Sequence, residues 1–261
     1  MKRQILFYIG FLPTLLFSIA ATAGPEERGL EIAKSIKSKN FGWKSSQSNL
    51  LMVLRGKGKE ITREMQSSSL EVDGDGDKSL LIFRTPLDVK GTSFLSFSHI
   101  VGQDDQWLYL PKLKRVKRIA SRNKSGPFLG SEFAFEDISS FEVEKNTYKY
   151  LRDEVVNALD MHVVEMTPFD KYSGYSKMTV WVDSQEYRVH KIDFYDRRGE
   201  LLKTQEFLEY KLFNEKYWRS QRQKMTNHKT LRSTDLIVSD LVLDAGLDDS
   251  DFTERKLSRG R

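Results

Sequence analysis

There is no cysteine in the 261 residues of this chain. Disulfide scaffolds, thiolate metal sites and cysteine nucleophiles are excluded, and so is the acylated cysteine that anchors a bacterial lipoprotein at its cleavage point. Catalytic signatures are missing too. No G-x-S-x-G elbow, H-E-x-x-H helix, Walker-type glycine loop or G-x-G-x-x-G turn occurs. The four histidines, His99, His162, His190 and His228, lie far apart, and none has a second histidine at ligand spacing. They read as hydrogen-bonded histidines rather than a metal centre. Asp73, Asp75 and Asp77 imitate the start of a calcium loop, but Lys78 stands where glycine is required and Arg84 where a bidentate glutamate belongs. No metal, no cofactor and no enzymatic reaction follow from these residues.

Only one long apolar run exists, and it is at the start. Lys2 and Arg3 precede the nearly unbroken apolar stretch Ile5 to Ala20, and Ala21-Thr22-Ala23 offers small residues where a signal peptidase reads. The expectation is a cleaved signal peptide over residues 1–23 and a mature domain over residues 24–261, exported to the periplasm. Nothing later approaches 18 uninterrupted apolar residues, so no other spanning helix is expected. Removing Lys2 and Arg3 leaves 40 Lys+Arg against 37 Asp+Glu, a charge of +3 that does not suggest a nucleic-acid binder. Hydrophobic residues at 39% and aromatics at 11% are enough for a substantial core.

Pro25 to Asn40 has helical spacing: Leu30, Ala33 and Ile36 fall three apart, with Glu26 and Glu27 in the first turn and Lys37 and Lys39 in the last. From Asn49 to Val238 the period changes to two, in thirteen short runs broken by Gly, Asp, Asn and Pro. So many antiparallel strands imply a barrel or a strongly curved sheet. Asp73-Gly74-Asp75-Gly76-Asp77 predicts a turn with glycine at two positions open to positive φ. Ala120 to Ser139 is the one long irregular segment, and it carries Phe128, Leu129, Phe133 and Phe135. Such a loop is either tucked against the core or forms a lid. The most lopsided charge feature is Lys112, Lys114, Arg115, Lys117 and Arg118, a solvated hairpin or a docking patch for an anionic surface or acidic partner. Trp107 and Tyr109 precede it and share one strand face.

Pro86-Leu87-Asp88-Val89-Lys90-Gly91-Thr92-Ser93-Phe94-Leu95, Trp107-Leu108-Tyr109-Leu110-Pro111, Arg115 to Ile119, and Phe128-Leu129-Gly130-Ser131-Glu132-Phe133 with Phe135-Glu136-Asp137 form a pattern. It resembles the bacterial exported proteins called outer membrane lipoprotein-sorting proteins, which are LolA-like in fold. Pro86, Gly91, Pro111, Gly130, Ser131 and Asp137 carry the structural part of the motif. Leu129 and Glu132 replace the methionine and aspartate usual there. The resemblance implies a mainly β fold with few helices. Its single, strongly curved antiparallel sheet has about eleven strands in an incomplete barrel, with helices and a lid loop on the concave face. It further implies a carrier of lipoprotein or lipid acyl chains. Phe94, Trp107, Tyr109, Phe128, Leu129, Phe133 and Phe135 are the candidate lining or lid residues. The alternative is a non-transporting envelope adaptor, or a sensor of lipid or lipoprotein, that partners an inner-membrane exporter of the RND or MMPL kind or a regulator through the basic patch. Oligomeric state is not legible.

Overall fold

The computed structural model describes residues 23–259, so the expected signal peptide lies outside the described residues apart from Ala23. One sheet of thirteen antiparallel strands organises the chain. In sequence these are β1 (Ser45–Gly56), β2 (Lys59–Leu70), β3 (Lys78–Thr85), β4 (Ser93–Phe97), β5 (Asp105–Leu110) and β6 (Arg115–Arg118). Then come β7 (Asn146–Val156), β8 (Leu159–Pro168), β9 (Tyr175–Asp183), β10 (Val189–Asp196), β11 (Leu201–Phe213), β12 (Tyr217–Asn227) and β13 (Arg232–Leu243). The spatial order is β6-β5-β4-β3-β2-β1-β13-β12-β11-β10-β9-β8-β7. The chain thus builds one wing outward from β1 to β6 and another inward from β7 to β13, and β1 pairs with β13 to join them. The two end strands do not pair with each other, so the barrel stays open.

The count of thirteen matches the thirteen period-two runs and corrects the figure of about eleven that the resemblance implied. Boundaries differ most at β1, β7 and β13, the last two running on to Val156 and Leu243 past the expected Tyr150 and Val238. β1 begins at Ser45 rather than Asn49, and the run expected from Ser140 starts as a strand only at Asn146, after a single 3-10 turn at Val143–Lys145.

The curvature follows from the packing. Leu108 of β5 and Tyr175 of β9 belong to one buried cluster, although nine strand spacings separate them, roughly 40 Å on a flat sheet. Only a sheet curled onto itself brings them together. Period-two alternation assigns the faces: Leu81, Phe83 and Phe94 point into this inner cluster, while Leu80, Ile82 and Leu95 point outward.

α1 (Pro25–Lys39) forms where the spacing predicts. Its Ile32, Ala33 and Ile36 pack on Val164, Met166, Val180 and Val182 of β8 and β9. Gly29 lets the helix approach closely, since a Cβ there would stand 2.8 Å from the backbone nitrogens of Lys149 and Tyr150. The helix thereby shields the edge strand β7, while the opposite edge, β6, is four residues long and rich in Lys and Arg, two standard protections of an exposed edge. The second helix, α2 (Glu254–Arg259), departs from the expectation that the helices sit on the concave face. Phe252 and Leu257 bury against the outward Leu80, Ile82 and Leu95 instead. In the acidic turn Gly74 has φ of 78°, as expected, but Gly76 does not have positive φ. It is small for another reason: a Cβ there would meet the Ser98 backbone at 2.5 Å.

Candidate functional site

The inner face is divided between a plug and a hollow. The plug is the segment between β6 and β7. Its centre is a tight reversal in which Ser131 N–H donates to the Phe128 carbonyl at 3.0 Å and Phe128 N–H to the Phe133 carbonyl at 2.7 Å. Leu129 and Gly130 between them take φ of 48° and 80°, the left-handed pair that a mirror-type turn demands. Glycine suits that conformation; leucine tolerates it here because Arg63 donates to the Leu129 carbonyl at 2.7 Å. The turn drives Phe128 and Phe133 into the core, where they are 0% and 1% exposed. Phe128 meets Phe94 edge-on at 5.1 Å between centroids and Phe135 at 5.5 Å, distances at which aromatic pairs add to simple burial.

A buried charged latch holds the plug down. The Asp137 carboxylate accepts from the Lys203 ammonium at 2.5 Å, from the Tyr175 hydroxyl at 2.7 Å and from the Ala134 N–H at 2.6 Å. Lys203 also donates to the Glu132 carbonyl. Both side chains of the ion pair are nearly inaccessible. Next to it Glu136 accepts from the Gly174 N–H and Ser173 hydroxyl, and burial holds its carboxyl above the ordinary range. Burial likewise raises the Tyr175 phenol well above its usual value. Through Tyr175 and Lys203, Asp137 ties the loop to β9 and β11 at once.

Beside the plug lies a cavity of about 600 Å³. Its walls are the C-terminal half of α1, residues 138–141, and the inner face of β8 to β13 and β1, with the ends of β2 and β3 at Ser69 and Ser79. The apolar surface comes from Ile36, Phe141, Ile192, Phe207, Val238 and Leu241. Three irregularities in the strands create it. The left-handed residues Glu209 and Asp240 (φ of 56° and 51°) interrupt β11 and β13, and the β9–β10 pairing shifts between Val189 and Lys191. Each interruption inverts the alternation, so Phe207 with Tyr210, Val238 with Leu241, and Val189 with Ile192 face one space although three residues apart.

Charged groups line the same cavity at its far end. Lys37 is tied to the fully buried Glu142 at 2.9 Å, Lys39 to Glu186 at 3.2 Å, and Arg188 to Asp183 at 2.7 Å. Arg219 donates to the Asn40 side chain at 2.7 Å, and burial lowers the proton affinity of its guanidinium. Burial pushes the Asp77 carboxyl up to about 6, against the pull of Lys37. The result is a dry-walled hollow with a polar rim, the usual composition of a site for a largely apolar ligand.

The seven candidate lining or lid residues fall into two clusters, neither of which is among the cavity walls. Phe94, Phe128, Leu129, Phe133 and Phe135 form the plug and the core beneath it. Trp107 and Tyr109 do share a face, but it is the outer one, against Phe252 and Leu257. Of the motif residues, Asp137 is the latch, Gly130 the turn and Ser131 its hydroxyl acceptor for the Phe133 N–H. Pro86 follows the cis peptide that opens the β3–β4 turn, and Gly91 in that turn, with φ of 80°, packs beside Pro111. The basic patch is divided too. Lys112, Lys114 and Arg115 are exposed at the β5–β6 tip, Lys117 is exposed on β6, and Arg118 pairs with Asp105. The residues that sequence reasoning missed are the cavity walls themselves. Their only signal was alternating apolar residues in β10 to β13, and the strand interruptions scramble it.

His99 bridges Asp75 at 2.7 Å and Asp105 at 3.4 Å, His162 meets Asp153, His190 meets Asp183, and His228 meets the Thr204 hydroxyl. Each histidine is thus hydrogen-bonded separately.

An open half-barrel wrapped around a plug and an apolar hollow defines a protein of the LolA-like class. A domain from Vibrio parahaemolyticus, named as an outer membrane lipoprotein-sorting protein, is 54% identical, with a TM-score of 0.89 over 90% of this chain and 100% of that one. A DUF1329 family protein from Desulfovibrio piger is 28% identical with a TM-score of 0.86, over 90% and 100% of the two chains. A LolA superfamily protein from Nitrosomonas europaea shares the fold at 23% identity and a TM-score of 0.71, over 87% and 98%. A family model described only as "Uncharacterized protein" matches residues 75–259. No curated protein matches the sequence. The chain belongs to the outer membrane lipoprotein-sorting family of LolA-like proteins.

Proposed function

We propose that this protein is a non-catalytic periplasmic carrier, exported by cleavage after Ala23, that holds the acyl chains of a lipoprotein or lipid in the hollow beneath α1. The observation that carries this reading is the cavity: about 600 Å³, within the roughly 300–1,000 Å³ usual for small-molecule sites, with apolar side chains on its strand walls. An acyl chain offers no polar handle, so its affinity must come from apolar area at about 25 cal/mol per Å². Water exposure of such a chain is costly, which is the reason a carrier is needed between two membranes. The sorting role in the name of the Vibrio relative supports the same reading.

In this reading the aromatic segment around Phe128 and Phe133 closes the dry side of the site, and Phe94 and Phe135 brace it. The exporter partner of the RND or MMPL kind belongs to the proposal through the exposed Lys112, Lys114, Arg115 and Lys117. Native mass spectrometry of the protein purified from the periplasm, followed by organic extraction, tests the carrier. Co-purifying acylated species are expected and would name the cargo class. A clean apo mass, unchanged by incubation with lipids and with an acylated lipoprotein, would overturn it.

A further inference from the structure

The strand order places the turns at two ends of the half-barrel, and their charges are opposite. At one end lie the β1–β2, β3–β4, β5–β6, β8–β9, β10–β11 and β12–β13 turns. Their residues, 57–58, 86–92, 111–114, 169–174, 197–200 and 228–231, include eight Lys or Arg and three Asp or Glu, a net charge of +5. At the other end the turns 71–77, 98–104, 157–158, 184–188 and 214–216 hold two basic and seven acidic residues, a net charge of −5. The whole mature chain is close to neutral, so the asymmetry comes from placement and not from composition.

Apolar exposure follows the same axis. Leu87 (85% exposed), Leu231 (84%), Leu113 (68%) and Phe169 (67%) protrude from four separate turns of the basic end, whereas Val101 is the one such residue in the turns of the acidic end among the described residues. Lys57, Lys90, Lys112, Lys114, Lys171 and Arg198 of the basic end have no carboxylate partner among the described residues. Leucines held out singly on rigid hairpins between unpaired cations do not bury against each other. Their arrangement fits the headgroup zone of an anionic bilayer, where apolar tips enter the acyl boundary and cations meet phosphates.

We infer that the basic end is a docking rim for an anionic phospholipid surface, orienting the half-barrel with its axis along the membrane normal. The plug lies at this same end: Lys124 reaches Asp170 of the β8–β9 turn, and Asn227 at the end of β12 meets Glu132. Docking therefore sets the plug beside the bilayer and leaves the cavity, with Glu186 and Lys216 of the far turns in its wall, on the distal side.

Vesicle co-sedimentation tests the rim, using protein purified from the periplasm and phosphatidylcholine vesicles with or without phosphatidylglycerol. Binding is expected only to the anionic vesicles and is expected to weaken as salt rises. Lys112→Glu with Lys114→Glu should reduce binding about tenfold or more. Leu87→Ser, Leu113→Ser and Leu231→Ser together should reduce it too, at an unchanged melting temperature because all three are exposed. Glu215→Lys at the acidic end should leave it unchanged. Equal binding to neutral vesicles, or no response to the lysine reversals, overturns the inference. So does an absence of vesicle binding accompanied by salt-sensitive capture of an acidic protein, which would make the rim a protein interface. The readout does not involve the cavity, so its failure leaves the carrier reading standing, and the converse also holds.

Discussion

The two halves of the inner face belong to one sheet and do opposite things. Around Phe128 the core is closed by ring contacts with Phe83, Phe94 and Phe135, even though the β2–β3 pairing shifts between Glu64 and Met65. Under α1 the strands are interrupted at Glu209, Asp240 and Val189, and their inward side chains diverge around about 600 Å³ of space. Register shifts occur in both halves, and what distinguishes the filled one is the plug that the β6–β7 segment inserts into it. Composition separates the halves only in part: both carry Phe, Leu and Ile, but the hollow adds serines such as Ser46, Ser48 and Ser69 and the charged groups of its far end.

Truncation should separate them most clearly. Phe128→Ala removes a fully buried ring with partners on all sides and should cost about 3–5 kcal/mol in urea unfolding. Phe207→Ala, whose ring already borders the hollow, should cost roughly half of that or less, yet weaken retention of acyl chains in native mass spectrometry. Equal losses from the two substitutions would mean that the hollow is packed core.

The latch comes next. Lys203→Met leaves the Asp137 carboxylate buried without its cation and should also cost about 3–5 kcal/mol. Adding Asp137→Asn should recover much of that loss, because the remaining amide carries no charge. If the double variant is no better than the single one, hydrogen-bond geometry rather than charge holds the plug.

Filling the hollow should have the smaller stability effect and the larger functional one. Val238→Phe places extra volume in existing space, so stability should stay within about 1 kcal/mol. Acyl-chain binding should fall about tenfold or more, equivalent to about 1.4 kcal/mol. Retained binding would place the ligand elsewhere.

A pH dependence is expected at the cavity wall. Unfolded aspartate titrates near 3.9, whereas buried Asp77 does so at about 6. The raised value means that folding favours the protonated acid. Below about pH 4 both states are protonated and the group has no effect on stability. As pH rises to about 6 the folded state increasingly bears the cost of a buried carboxylate. Asp77→Asn should therefore raise the melting temperature near neutral pH and leave it nearly unchanged near pH 4. A shift of equal size at both pH values would assign the effect to packing.

Much of this molecule is legible in its chain. The helix over residues 25–39 and thirteen strands follow from local periodicity, because the burial of one face imposes a repeat of 3.6 or 2 on the residues themselves. The plug segment is legible for the same reason: a glycine and four large apolar residues in an otherwise polar loop need somewhere to go. Its destination is not. Phe128 fills the core instead of bordering the cavity because β3 and β4 bring Phe83 and Phe94 against it, a matter of sheet curl. The outward turn of Trp107 and Tyr109 depends on a C-terminal segment more than a hundred residues away, which returns to cover them.

The sequence by itself determined the elements and their order, and the charges in each turn. Tertiary structure alone decided which turns share an end, and so produced a basic and an acidic pole from a nearly neutral chain. It also decided where the hollow lies, because a single left-handed residue such as Glu209 or Asp240 inverts the side-chain alternation without leaving a glycine to mark the place.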